Sequence, residues 1–226
     1  MSPDLACVLA VLVAYLLGAI PFGLVVGKAW KGIDIRQHGS GNLGATNALR
    51  VLGKPVGVTV LLLDALKGAG PVLAFPALLA RLELPPPGWL PAALALAAIL
   101  GHVFPVYLRF KGGKGVATSA GAFGALHPPA FGVALLTFAV IVAGLRIVSL
   151  GSVLAAVALP TAAILLDGPD LAFGLERART AALVLVGLLV VVRHRANLAR
   201  LWAGTEPRLG HRAGPAASSE QTAPDS

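Results

Sequence analysis

A polar, glycine-rich segment, GSGNLGATNALR at residues 39–50, breaks into a chain that otherwise reads as a succession of apolar spans. Its backbone cannot lie against lipid, because hydrocarbon offers no partner for unpaired N–H and C=O groups. The segment must face water or line a protein-walled site. Gly39, Gly41 and Gly44 permit close approach of backbone to a ligand, and the run that follows predicts a short helix ending at Gly53. A glycine loop feeding a helix N-terminus binds phosphate through backbone N–H groups and the helix dipole. The loop of nucleoside triphosphatases has lysine where this chain has Ala45, and it follows a strand that is not foreseen here. The pattern indicates an anion cradle of another kind.

Composition fixes the setting. Of 226 residues, 57% are hydrophobic and only 12% charged, and the mean hydropathy of +0.83 lies outside the range of a soluble domain. A net charge of +8 invites a nucleic-acid reading. That reading fails, because the basic residues are dispersed among apolar spans with few aromatics between them. The single cysteine, Cys7, excludes an intramolecular disulfide. The first apolar stretch is too long for a signal-peptide core and has no basic residue before it, so it reads as a retained span.

The expected fold is an all-α polytopic membrane protein. Apolar stretches at 5–27, 90–107, 129–145, 150–166 and 178–192 are each near the length that crosses hydrocarbon. Residues 56–82 read as one long kinked helix, interrupted by Asp64, Lys67 and Pro71, and residues 116–126 as a thin, short one. Counting the short segment gives seven transmembrane helices, with the N-terminus outside and the C-terminus inside. Inner loops then collect Lys28 and Lys31, Arg50 and Lys54, Arg109 to Lys114, Arg146, and all residues from Arg193 on. Outer loops keep Arg81, Arg177 and Arg179, offset by five carboxylates, Asp4, Glu83, Asp167, Asp170 and Glu176. That asymmetry obeys the positive-inside rule and puts the polar motifs on the cytoplasmic side. Residues 1–206 form one membrane-embedded domain, while 207–226, rich in Pro, Ala, Ser and Gly, are expected to be disordered.

Two further polar clusters fall on the same inner face. In HVFPVYLRFKGGKGVAT, from His102 to Thr118, Lys111 and Lys114 flank Gly112 and Gly113 ahead of the short helix, which predicts a second anion site. Interfacial anchoring would explain those lysines but not the glycines between them. In RHRANLARLWAGTE, from Arg193 to Glu206, helical periodicity puts Arg193, Asn197, Arg200 and Gly204 on one face, with His194 on its flank and Arg195 opposite. Arg146 with Ser149 marks an inner turn. Asp64 and Lys67, three apart in a span, either neutralise each other or face the site.

Together these three clusters, in this order, resemble the three signature motifs of the bacterial acyl-phosphate:glycerol-3-phosphate acyltransferases, with the DALKG and RIVSLGS stretches adding to the likeness. The likeness runs through nearly the whole chain apart from the tail and departs only at the non-polar Ile147 and Trp202. It implies a multi-pass enzyme of the bacterial inner membrane, with its active site on the cytoplasmic side. The implied reaction moves a fatty acyl group from acyl phosphate to the sn-1 hydroxyl of glycerol 3-phosphate, giving lysophosphatidic acid and phosphate. The resemblance implies catalytic roles for Ser40, Arg50, Lys114, His194 and Asn197. Substrate-binding roles are implied for Gly41, Asn42, Gly44, Ala45, Thr46, Asn47, Lys67, His102, Lys111, Gly112, Gly113, Thr118, Ser149, Arg200 and Glu206. Membrane lipid is an expected partner, and neighbouring enzymes of lipid synthesis are further candidates.

Residue chemistry agrees. Both substrates carry a phosphate, and the chain supplies two basic, glycine-rich loops. Because phosphate leaves readily, the main demands are charge stabilisation and alignment. The proton of the attacking hydroxyl goes either to His194 or to a substrate phosphate oxygen. No cofactor is expected, and clusters of cations and amides do not suit magnesium. Thioester-using glycerolipid acyltransferases rely on a His-x-x-x-x-Asp pair, which is absent from the sequence. The competing class is a transporter of phosphorylated solutes, which would call for midplane polar groups and repeated halves. Here the motifs crowd one face.

Overall fold

Proline and glycine punctuate the apolar sequence, and the helices begin and end where they fall. The computed structural model describes residues 2–209, all helix and connecting loop with no strand among them. Helix α1 (Pro3–Ala19) starts at Ser2, whose hydroxyl accepts from the Leu5 amide at 3.3 Å. Pro21 has no N–H to continue the ladder, so the chain restarts as α2 (Phe22–Lys31), bent by 40°. The 5–27 stretch is thus two helices rather than one straight span. Then come α3 (Ala45–Leu52), closed by Gly53 as expected, and α4 (Lys54–Arg81), one helix that carries Pro71 and Pro76 inside it. Helix α5 (Leu90–Val103) leads to the second polar loop, and α6 (Val116–Leu126) is the short helix. Helices α7 (Pro128–Leu145) and α8 (Val148–Asp167) form a hairpin. Helix α9 (Pro169–Phe173) connects to α10 (Arg177–Arg193) and α11 (Arg195–Trp202).

Four segments have the length and composition to cross a membrane: Lys54–Arg81, Leu90–Leu108, Pro128–Leu145 and Val148–Asp167. Counting α1–α2 and α10–α11 as bent spans brings the number to six. Helix α6, at 11 residues, rises roughly 16 Å, short of the ~30 Å hydrocarbon core. It survives by packing along α4. Polarity is arranged inside-out. Leu66, Leu136, Leu165 and Leu188 are exposed, whereas Asp64, Lys67, His102, His127 and Ser152 are buried. Lipid accepts the leucines without cost, while charges must find partners inside.

Small residues let the helices approach. A Cβ on Gly121 would stand 1.9 Å from the Ala65 carbonyl oxygen, and one on Gly68 would stand 2.1 Å from that of Thr118. Both sit on the α4–α6 contact, the close backbone approach that small residues allow in membranes. At the opposite end from the polar motifs, His127 pins three elements. Its Nδ1 accepts from the Ala130 amide at 3.3 Å, and its Nε2 lies 3.2 Å from Asp167, which also pairs with Arg179 at 2.5 Å. Of the tail expected at 207–226, residues 207–209 are described, and there the Leu209 amide donates to the Arg146 carbonyl at 2.7 Å. Residues 210–226 lie outside the described part.

Gly121→Ala should therefore lower the thermal unfolding midpoint in detergent, by the equivalent of about 1–3 kcal/mol. Gly132→Ala, on α7 with nothing within 4 Å of its Cβ position, should be neutral or stabilising. Equal shifts in the two variants would contradict the packing role of Gly121.

Candidate active site

The first polar loop is built around one side chain. Asn47, in the first turn of α3 and 2% exposed, folds back into the loop. Its Nδ2 donates to the carbonyls of Ile35 (3.0 Å), His38 (3.1 Å) and Asn42 (2.9 Å), while its Oδ1 accepts from the Ser40 amide at 2.9 Å. Sequence reading gave Asn47 to the substrate, but its polar atoms are spent holding the loop. Gly39 and Gly41 take φ of +60° and +68°, which side-chain-bearing residues rarely adopt. Gly44 differs: its backbone is extended, and its amide donates to Asn42 Oδ1 at 3.0 Å. Small size, not positive φ, is what suits Gly44 to a cleft wall. Ser40, Ala45, Thr46 and Arg50 line the same cleft. The Asn47 and Ala48 amides donate to the Gly44 carbonyl, while those of Ala45 and Thr46, the first two of α3, have no intrahelical acceptor and are available to an anion.

The second loop returns against the end of α5. Gly112 N donates to the Val103 carbonyl at 3.2 Å and Gly113 N to the His102 carbonyl at 3.1 Å. A Cβ on Gly112 would come within 2.2 Å of the His102 carbonyl oxygen, and one on Gly113 within 2.2 Å of His102 Nε2. These glycines serve packing, and their carbonyls both accept from Arg193 at 3.0 Å. They do not line the cleft, which corrects their expected contact with substrate. Lys111 is exposed away from the cleft, and Thr118 is fully buried between α4 and α6. Lys114 does reach the cleft, where its ammonium donates to Asn197 Oδ1.

The third motif is not one continuous helix. It bends by 54° at His194, where α11 starts anew. The continuous face expected for Arg193, Asn197, Arg200 and Gly204 is thus split between α10 and α11, yet Arg193, His194, Asn197 and Arg200 all border the cleft. Glu206 holds this arrangement. It accepts from Ser149 Oγ at 2.7 Å, Asn197 Nδ2 at 2.6 Å and Arg200 Nε at 2.9 Å. Burial works to raise the Glu206 carboxyl, but those donors outweigh it and hold it below the usual range. His194 Nδ1 lies 2.7 Å from the Val190 carbonyl, an acceptor, so Nδ1 carries the proton and Nε2 is left as the ring's acceptor.

The three motifs meet in one cleft of about 620 Å³. Arg50, Lys114, Arg193 and Arg200 give its lining a surplus of cations over Glu206 and the Lys67-paired Asp64. Its walls also carry apolar side chains, Leu61, Val116, Ala117, Phe138 and Val148, from α4, α6, α7 and α8. Sequence reading missed these apolar lining residues and Ser152, and it placed Arg193 on the polar face of the third motif without giving it a role. Lys67 is not on the cleft; it pairs with Asp64 at 2.7 Å.

A membrane-embedded site that joins an anion pocket to an apolar groove is that of a lipid-handling enzyme. The glycerol-3-phosphate acyltransferase family model matches residues 8–204, and the chain belongs to that family. A glycerol-3-phosphate acyltransferase of Geobacter sulfurreducens is 45% identical over 197 residues, covering 87% of this chain and 94% of its own. One from Thermosynechococcus vestitus is 43% identical over 208 residues, covering 89% and 94%. Among solved structures, the glycerol 3-phosphate form of PlsY, an integral membrane glycerol 3-phosphate acyltransferase, superposes with a TM-score of 0.78 at 39% identity. That match covers 90% of this chain and 96% of that one. The lysophosphatidic acid form of the same enzyme gives 0.75 at 38%.

Burial pushes the Lys114 ammonium down to about 8, helped by Arg200, Arg193 and Arg50 and opposed by Glu206. Lys114 is therefore cationic below that pH and discharges above it, so kcat/KM of the enzyme should fall as pH rises past about 8. A guanidinium keeps its charge over this range. Residual activity in Lys114→Arg should accordingly hold to higher pH. Identical alkaline limbs in initial-rate pH profiles of the two proteins would refute the assignment.

Proposed function

We propose that this protein transfers a fatty acyl group from acyl phosphate to the sn-1 hydroxyl of glycerol 3-phosphate, releasing lysophosphatidic acid and inorganic phosphate. The observation that carries the reading is the single cleft, whose lining combines cations and free amides with apolar side chains from four helices. The acyl chain lies in the apolar groove between α4, α6, α7 and α8, and its phosphate rests on the first loop and Lys114. Glycerol 3-phosphate takes Arg50 and Arg200, with Ser149, Asn197 and Glu206 fixing its surroundings. The sn-1 oxygen attacks the acyl carbonyl carbon while its proton passes to His194 Nε2. The carbonyl–oxygen bond to phosphate then breaks, and Lys114 with the leading amides of α3 takes up the departing charge.

The same reading places the enzyme in a bacterial inner membrane with the three motifs on the cytoplasmic side. It also makes α6 the thin seventh crossing, with the N-terminus outside. Cysteine labelling tests this. In a Cys7→Ser background, Lys31→Cys and Thr205→Cys should be shielded from an impermeant thiol reagent in intact cells, and Leu175→Cys, 90% exposed in the native chain, should be labelled. These exposed sites avoid the strained positive-φ glycines nearby, Gly32 and Gly168. Labelling of all three, or of only the first two, would refute the topology.

The donor is tested with purified protein. A thioester puts sulfur where the cradle expects a phosphate dianion and leaves the cradle's buried donors unpaired, a loss of several kcal/mol, roughly 2–4 by analogy with other oxyanion sites. Acyl phosphate should support turnover, while acyl-CoA and acyl carrier protein should give almost none. Lys114→Ala should lose far more kcat than Arg195→Ala, whose side chain is exposed off the cleft. Comparable rates with acyl-CoA, or equal losses in the two variants, would overturn the donor assignment.

A further inference from the structure

Along one wall of the cleft, between α4 and α5, three titratable side chains meet where the mechanism gives them no direct task; Asp64 and His102 border the cleft and Lys67 does not. Asp64 is 1% exposed, Lys67 7% and His102 7%. Lys67 Nζ stands 2.7 Å from Asp64 Oδ1, and His102 Nδ1 stands 3.6 Å from the same oxygen. Such a cluster is costly to bury, and removing one partner strands a charge. Its outward connections are specific. Lys67 Nζ donates at 2.8 Å to the carbonyl of Ile20, the residue at the α1–α2 break, and lies 5.5 Å from the ring centroid of Phe22, the first residue of α2.

From that break the path leads into the first anion loop. A Cβ on Gly23 of α2 would fall 1.9 Å from the Leu43 carbonyl oxygen, so α2 bears directly on the loop just ahead of Gly44. The other connection leads to the second loop. His102 Nε2 packs against Gly113, next to Lys114, and both loop glycines are tied to Arg193. Each loop is held internally by its own network, Asn47 in one and Arg193 in the other. The pair of loops is bridged through Asp64.

We propose that Asp64, Lys67 and His102 form a positioning node that sets the distance between the two anion loops. Lys67 acts through the Ile20 carbonyl and His102 through Gly113. The sequence resemblance implied that Lys67 binds substrate; the node assigns it a position behind the site instead. This rests on the functional reading above, since two substrates must be aligned for the spacing to matter. Because each loop keeps its own bonds, loss of the node should leave each phosphate bound while misaligning the hydroxyl with the carbonyl. A misplacement of about 1 Å costs on the order of 100-fold in rate.

The test uses Lys67→Met, the charge-free double variant Asp64→Asn/Lys67→Met, and Gly113→Ala, which presses on His102 from the loop side. Lys67→Met should lose both thermal stability and kcat. The double variant should regain most of the unfolding midpoint, because no lone charge is left buried, yet kcat should stay about 100-fold down with KM for both substrates near wild type. Gly113→Ala should show the same split between kcat and KM. Recovery of kcat together with stability would mean a merely structural pair, and a raised KM for one substrate would mean a direct ligand; either result overturns the node. Spin labels at His38→Cys and Lys111→Cys, exposed sites on the two loops, in a Cys7→Ser background give a readout independent of turnover. Their distance distribution should be narrow with the node intact and broadened in the double variant and in Gly113→Ala. An unchanged distribution refutes the node whatever the activity, whereas a wild type that makes no product refutes only the functional reading.

Discussion

Hydrocarbon solvates no backbone N–H or C=O, and nearly every feature of this protein answers that constraint. A helix satisfies its own interior but leaves its ends open. The chain places its irregular backbone where protein can close those ends. The Ile20 carbonyl at the α1–α2 break is met by Lys67, and the Ile35, His38 and Asn42 carbonyls by Asn47. The Gly112 and Gly113 carbonyls are met by Arg193. In each case a side chain from a distant or neighbouring helix supplies what lipid cannot. The polar site is a by-product of the same logic, because loops held by protein are the places where amides can be left free for a ligand.

Close helix approach makes that arrangement possible. Gly18 rests on the Ala98 carbonyl, Gly101 on that of Tyr15, and Gly121 on that of Ala65. Without water to drive association, such contacts rely on fit and dispersion. They seat α1 against α5 and α4 against α6, so that α6 lies inside the bundle although it is too short to cross a bilayer on its own. Glycine thus does three distinct jobs here: positive φ at Gly39 and Gly41, close packing at Gly112, Gly113 and Gly121, and small size on a cleft wall at Gly44.

Electrostatics complete the site. Four cations against two carboxylates, Glu206 and the Lys67-paired Asp64, make the cleft attractive to phosphate, and partial desolvation strengthens each interaction there. Glu206 does not cancel this field so much as aim it. By accepting from Ser149, Asn197 and Arg200 it fixes three side chains that come from two helices. Lys114 is anchored by Asn197 in turn, so one carboxylate orders the cationic wall at one remove.

Local rules made the helices legible from sequence. The short helix at Val116–Leu126 and the stop of α3 at Gly53 fell where apolar runs and glycine put them, because such boundaries depend on residues a few positions apart. The clustering of Ser40, Arg50, Lys114, His194, Asn197, Ser149 and Glu206 around one site was legible too, since charge asymmetry assigned their motifs to one face. Direction was not. Asn47 turns into its own loop, Thr118 lies between helices and Lys67 reaches back to Ile20, because each orientation is decided by partners far away in the chain. The 54° bend, and the apolar arm formed by Leu61 and Phe138, also follow from packing between helices, whereas the 40° bend falls at Pro21. The sequence by itself determined which residues are helical and which motifs carry charge. Only the tertiary structure decided which polar atoms are spent on the protein and which are free for a ligand, because a hydrogen-bond partner is a matter of distance in space and not of spacing along the chain.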